Sequence, residues 1–136
     1  MTVGELARQA GIRPSAVRYY ERLGLIPPPA RRSGRREYGP DASAHLAVVQ
    51  FARHCGFTLA ETQQLVRGFA PRVAASDRWA ALADVKLQEM DQLIARAQTM
   101  KALLGRIKRC ECETLVECGR RLRQRALAER SDTARV

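Results

Sequence analysis

Apolar positions fall on a helical period along most of the chain. In VGELARQA, Val3, Leu6, Ala7 and Ala10 share one face, and Thr2 with Glu5 three residues later has the spacing of a capping box. Gly11 ends this helix. A second begins near Pro14-Ser15, where proline suits a first turn, and runs through Ala16, Val17, Tyr20 and Leu23 to a stop at Gly24. Two short helices joined by a tight glycine-containing turn predict a helix-turn-helix.

The next segment, LIPPPARRSGRREYGP, breaks the period. Pro27, Pro28 and Pro29 hold the chain extended, and Ser33-Gly34 supplies a turn between two short basic runs. The expected product is a β-hairpin, or wing, tipped by Arg31, Arg32, Arg35 and Arg36. Asp41 is placed to cap a third helix reaching about Cys55, with Leu46, Val49 and Ala52 inward. Thr58 and Glu61 repeat the capping-box spacing ahead of a fourth helix that closes near Gly68.

From Ser76 or Asp77 to about Arg109 there is no proline and one glycine, Gly105. Leu87, Met90, Ile94 and Ala97 step by three, four and three residues, and Met100, Leu104 and Ile107 carry the stripe onward. A helix of that length would extend ~45–50 Å, well beyond the head. Its stripe needs a partner, and a second copy of the same helix is the simplest one. Leu87, Met90, Ile94 and Ala97 are therefore the expected dimer interface; the alternative is a stripe folded back on its own head. Arg120 to Arg130 reads as a short amphipathic helix and the last half-dozen residues as a frayed tail. The predicted fold is mainly α. A winged helix-turn-helix head (1–70) precedes a long dimerisation helix (76–109), and a cysteine-containing effector loop with a short C-terminal helix follows (110–130).

Charge narrows the partner. Among 136 residues, 24 are Lys or Arg against 14 Asp or Glu, a formal net charge of +10. Only Lys86, Lys101 and Lys108 are lysines, so the field is almost wholly guanidinium, the group suited to bidentate phosphate and guanine contacts. The hydrophobic share of 46% is enough for a core, which excludes a disordered basic tail. No apolar run approaches the ~18–20 residues that span a bilayer, and Glu5 and Arg8 interrupt any secretory signal. The chain reads as cytosolic, with nucleic acid and not membrane as its partner.

A helix-turn-helix followed by an arginine-tipped wing grips duplex DNA by putting its second helix in the major groove and the wing along the backbone. Ser15, Arg18 and Tyr19 are expected to project from the second helix, Arg18 toward a base edge or nearby phosphate and Tyr19 toward phosphate. Tyr20 is expected in the core.

The run VGELARQAGIRPSAVRYYERLGLIPPPARRSGRREY resembles the DNA-binding head of the MerR family of bacterial transcription regulators, and FARHCGFTLAETQQL resembles the stretch that follows it there. With the long helix, the resemblance covers nearly the whole chain. It implies a homodimer whose long helices form an antiparallel coiled coil, and an operator between overspaced promoter elements. Effector binding would bend and untwist that spacer so that RNA polymerase can use the promoter. By position it adds Tyr38, at the end of the wing, and Arg53, at the end of the third helix, as backbone contacts beside Arg18, Tyr19 and the wing arginines. Many guanidiniums along one duplex would make affinity steeply salt-dependent.

Four cysteines stand at Cys55, Cys110, Cys112 and Cys118. Cys55 lies beside Gly56 and Phe57 at a helix end and is expected to be a small core hydrophobe. The other three, as Cys-x-Cys-x5-Cys, bring three soft thiolates within reach of one ion: Zn(II), Cu(I), Cd, Pb, Hg or an iron–sulfur cluster. Arg106, Lys108, Arg109 and Arg120 should lower the thiol pKa values, while Glu111, Glu113 and Glu117 oppose them. Metal-sensing relatives carry a cysteine pair about here, and Cys110 and Cys118 have the spacing of the copper-responsive type. Ser76 stands where that type opens its dimer helix with serine. The redox-sensing SoxR-like pattern matches at three positions but has a cysteine where Ile107 stands. A two-iron, two-sulfur cluster takes four protein ligands, so one thiophilic ion per subunit or a thiol-based redox response is expected ahead of it.

The rival reading is an enzyme or metal carrier with a basic surface. His45 and His54 are nine residues apart on one predicted helix, and no nucleophile constellation or phosphate loop accompanies them. A MerR-type regulator with a non-metal effector and incidental cysteines is the other alternative.

Overall fold

The computed structural model describes the backbone of residues 1–134 and the side chains of residues 1–130. Its elements run α1 (Val3–Ala10), α2 (Pro14–Arg22), β1 (Ala30–Arg32), β2 (Arg35–Glu37), α3 (Pro40–His54), α4 (Leu59–Arg67), α5 (Ala75–Ile107) and α6 (Leu115–Ala134). The molecule is mainly α, with a winged helix-turn-helix ahead of a long helix and a C-terminal helix. No helix among the described residues is long and apolar enough to cross a membrane. The chain divides into two compact units, Met1–Gln88 and Glu89–Val136.

Local chemistry explains the boundaries of the first unit. Thr2 and Thr58 each accept from the backbone N–H three residues on, while Glu5 and Glu61 reach back to the cap N–H, so both capping boxes form. The strands pair antiparallel in the register Arg32↔Arg35, closed by Ser33 (φ 52°) and Gly34 (φ 76°). Two positive φ angles in a two-residue loop match the twist of a hairpin. The start of α3 differs from expectation. Gly39 is the N-cap and Pro40 opens the helix, because proline's fixed φ is ready-made for a first turn; Asp41 sits one place further in.

Leu6, Ala7, Val17, Ile26, Tyr38, Ala42 and Leu46 form one core, with Val3, Ala10, Ile12 and Tyr20 packed against it. A second core joins Ala52, Phe57 and Leu65 to Val48, Trp79 and Leu82. Polar ties close the unit. The Arg78 guanidinium donates to the carbonyls of Leu65 and Val66, orphan acceptors at the end of α4, and to those of Ala70 and Val73 in the turn that follows. Buried Lys86 meets Glu61 at 2.9 Å and lies over the Phe57 ring.

Two expectations are corrected here. Cys55 is exposed, not core: it caps α3, Gly56 turns the chain at φ 88°, and Phe57 takes the buried place. The C-terminal helix begins at Leu115 instead of Arg120, because the Thr114 hydroxyl accepts from Glu117 N–H as an N-cap does. Its backbone is helical through Ala134, over most of the expected tail, and 135–136 lie outside the described residues.

The second unit is built otherwise. None of its described side chains is buried, and Leu93, Ile94, Met100, Leu103 and Leu104 are all more than half exposed.

Candidate functional site

On α2, Val17 is fully buried and Ala16 and Tyr20 are half-buried, which turns Ser15, Arg18 and Tyr19 outward. Arg22 lies 5.9 Å from the Tyr19 ring centroid and stiffens that edge. The C-terminal end of α2 is tied to α4. Gln63 and Arg67 both donate to the Leu23 carbonyl, at 3.3 and 3.4 Å. Gly24 follows at φ 73°, and any side chain there would strike the Arg67 guanidinium.

Arg31, Arg32, Arg35 and Arg36 are exposed along the wing. Arg32 pairs with Glu37 at 3.5 Å and Arg36 with Glu21 at 3.7 Å. Glu21, which sequence reasoning did not single out, links helix and wing: the same carboxylate oxygen accepts from the Tyr38 hydroxyl at 2.6 Å. No local pattern marks it, since its partners lie 15 and 17 residues away.

Tyr38 departs from its expected role. Its side chain is 2% exposed and its hydroxyl is committed to Glu21, so it positions the wing from the core instead of facing a phosphate. Burial, and then the Glu21 carboxylate, push its pKa up to about 12. Arg53 is exposed, with one guanidinium nitrogen donating to the Phe57 carbonyl at 3.0 Å, so part of its donor capacity holds the turn between α3 and α4.

The thiols gather in the second unit. The end of α5 tightens, with Arg109 N–H on Arg106 and Cys110 N–H on Ile107, and the Cys112 N–H donates to the Cys110 sulfur at 3.4 Å. Cys118 belongs to the first turn of α6 and not to a loop, its N–H on the Thr114 carbonyl. The Sγ atoms of Cys110, Cys112 and Cys118 all lie within 4.8 Å of one another. Sulfurs around one ion at a bond length of about 2.3 Å would stand about 4 Å apart, so the trio needs only a small closure.

Hydrogen bonds from the Cys112 thiol and backbone hold Cys110 below the ordinary thiol range, with Arg121 adding to the effect. Cys112 is pushed up to about 11, first because its thiol donates to Cys110 and then by burial. A cavity of about 360 Å³ surrounds them, lined also by Arg106, Arg109, Arg121 and Arg125. His45 bonds to the Asp41 carbonyl of its own helix, and it and His54 stand outside this donor cluster.

A family model described as MerR HTH family regulatory protein matches residues 1–68, and one described as MerR, DNA binding matches residues 44–107. An uncharacterised HTH-type transcriptional regulator of Pseudomonas aeruginosa is 31% identical over 120 residues, covering 87% of this chain and 91% of that protein. Heavy metal-dependent transcription regulator 2 of Rhizobium meliloti is 33% identical over 105 residues, covering 76% and 71%. Among solved structures, the transcription regulator PbrR691 from Ralstonia metallidurans CH34 in complex with lead(II) superposes with a TM-score of 0.70. It is 27% identical and the match covers 84% of this chain and 91% of that one.

Proposed function

The chain belongs to the MerR family of DNA-binding transcription regulators, and from that premise we propose that it distorts promoter DNA as a homodimer when Cys110, Cys112 and Cys118 take a thiophilic metal ion or a redox signal. It is a regulator and not an enzyme. The observation that carries the effector reading is the gathering of three thiols within 4.8 Å. Soft thiolates of this kind select Zn(II), Cu(I) and similar ions over hard cations, and the bound ion would cross-link the end of α5 to α6. Two relatives whose names or titles include a heavy metal or lead(II) point the same way.

The residues divide the work. The head (1–70) reads DNA: Ser15 and Arg18 enter the major groove with the second helix, Tyr19 meets phosphate, and Arg31, Arg32, Arg35, Arg36 and Arg53 hold the backbone. The helix of residues 76–109 pairs with a second copy, antiparallel, through Leu87, Met90, Ile94 and Ala97. Leu87 and Ile94 are each more than half exposed in the single chain, which supports that pairing. The segment 110–130 senses. RNA polymerase is the partner that uses the distorted promoter.

Metal analysis of anaerobically purified protein tests the reading. The expected result is colourless protein holding one thiophilic ion per subunit, lost in Cys110→Ser and Cys118→Ser but kept in Cys55→Ser. Brown protein with two irons per subunit would replace the single ion by a cluster. Regulation that survives replacement of all three cysteines would overturn the thiol reading altogether.

A further inference from the structure

The cavity beside the thiols is too large and too positive for an ion alone. It is a cleft open to solvent on one side with a volume of about 360 Å³, whereas one water needs about 10–15 Å³ by the same measure. Besides the three cysteines, its wall carries Arg106, Arg109, Arg121 and Arg125 against one carboxylate, Glu111. Arg121 also pairs with Glu117 on the previous turn at 3.2 Å, an exposed contact that meets part of its charge. A guanidinium stays protonated and has no lone pair to offer a metal, so these side chains cannot be ligands. What they bind well is a carboxylate or phosphate, by two parallel hydrogen bonds. Three thiolates also leave a four-coordinate ion such as zinc one open position. Room, an open position and carboxylate-binding groups coincide in one cavity.

We propose that this is a composite site, in which an ion on Cys110, Cys112 and Cys118 is completed by a carboxylate-bearing small thiol whose carboxylates rest on Arg109, Arg121 and Arg125. The proposal rests on the metal reading above and names the second component of the ligand. As the small thiol joins, its proton leaves to water and no electrons move. The protein would then respond to the ion in the form in which a small thiol carries it, and the arginines would choose among carriers by charge.

The test uses the full chain with cobalt(II) as probe ion and glutathione as the carboxylate-bearing thiol, with β-mercaptoethanol as the uncharged comparison. Native mass spectrometry should retain one glutathione per cobalt-loaded subunit, and thiolate-to-cobalt absorption should rise on its addition. Glutathione should be preferred by about tenfold or more. Replacing Arg109, Arg121 and Arg125 by Gln should abolish the preference while cobalt still binds. Arg123→Gln, on the same helix but outside the cavity wall, should keep it. Cobalt-loaded protein that takes neither thiol, or both equally, overturns the composite site and leaves the metal reading standing. Wild-type protein that binds none of cobalt(II), zinc(II), cadmium(II) and, anaerobically, copper(I) overturns both.

Discussion

The two units of the chain solve the same problem differently. The first, Met1–Gln88, holds both apolar cores of the chain and closes its polar ends internally: two capping boxes, the Arg78 guanidinium on four carbonyls, and Glu21 shared by Arg36 and Tyr38. Its exposed apolar residues, Phe51, Val85 and Leu87 among them, lie outside those cores. In the second, the described apolar residues of α5 and α6 stay largely in solvent, Leu104 at 65% and Leu115 at 90% exposure. A unit that is complete alone can serve as a rigid reader. One that cannot bury its own stripe depends on what it meets, and that dependence is what a sensor needs.

The contrast breaks most sharply at Ile94. A carboxylate there would be buried unpaired at the dimer contact, at a cost of several kcal/mol, while harming nothing in the head. Ile94→Asp should give monomers by light scattering at micromolar concentration, with loss of specific DNA binding but an unchanged head. A stable dimer carrying that substitution would mean that the stripe packs elsewhere. Truncation sharpens the same point. Leu46→Ala should destabilise the head by about 2–5 kcal/mol in urea unfolding, because Leu46 is 1% exposed in a closed core. Leu104→Ala should leave that transition in place and weaken only the association of subunits.

What was legible in the sequence follows the range of the interaction. Capping boxes, the glycine stops, the hairpin turn and the α5 stripe are written within a few residues, and Thr2, Thr58, Ser33-Gly34 and Met90 betrayed them. The Thr114–Glu117 cap is equally local, but the close cysteine spacing around it reads as a loop. Glu21 with Tyr38, Arg78 with Leu65 and Lys86 with Glu61 join residues 17, 13 and 25 apart, and no periodicity announces such pairs. Tyr38 follows the same rule: the family resemblance makes it a backbone contact by position, while its long-range partner Glu21 puts it in the core. The thiol trio was visible from spacing alone, but the four arginines around it needed α6 to bring Arg121 and Arg125 alongside.

DNA binding tests the first unit as a reader at the next smaller scale. Arg18→Ala should lower operator affinity by about 1–3 kcal/mol and relax sequence preference. Arg35→Ala should weaken all duplexes alike and reduce the log–log salt slope by about one. Unchanged operator affinity in Arg18→Ala would mean that α2 is not presented to the groove by this face.

The smallest expected effect lies in the ion pairs, and pH isolates it. Hydrogen bonds from the Thr58 backbone, and then Lys86, hold the Glu61 carboxyl below the ordinary carboxylate range. A carboxyl depressed in the folded state adds stability above its unfolded pKa, about 4.3, and loses it as pH falls through the folded value. Glu61→Gln keeps the acceptor for the capping box and removes only the charge. The variant should therefore be less stable than the parent near neutrality, by about 1 kcal/mol or less, with the gap closing as acid protonates Glu61 in the parent. Paired urea titrations at pH 7 and pH 3 measure that closure. The Glu117–Arg121 pair of α6 makes the contrast: both side chains are about half exposed, and Glu117→Gln should leave the neutral-pH midpoint unmoved at physiological salt. A gap at Glu61 that persists undiminished in acid would show that the carboxylate's charge is not what the variant loses.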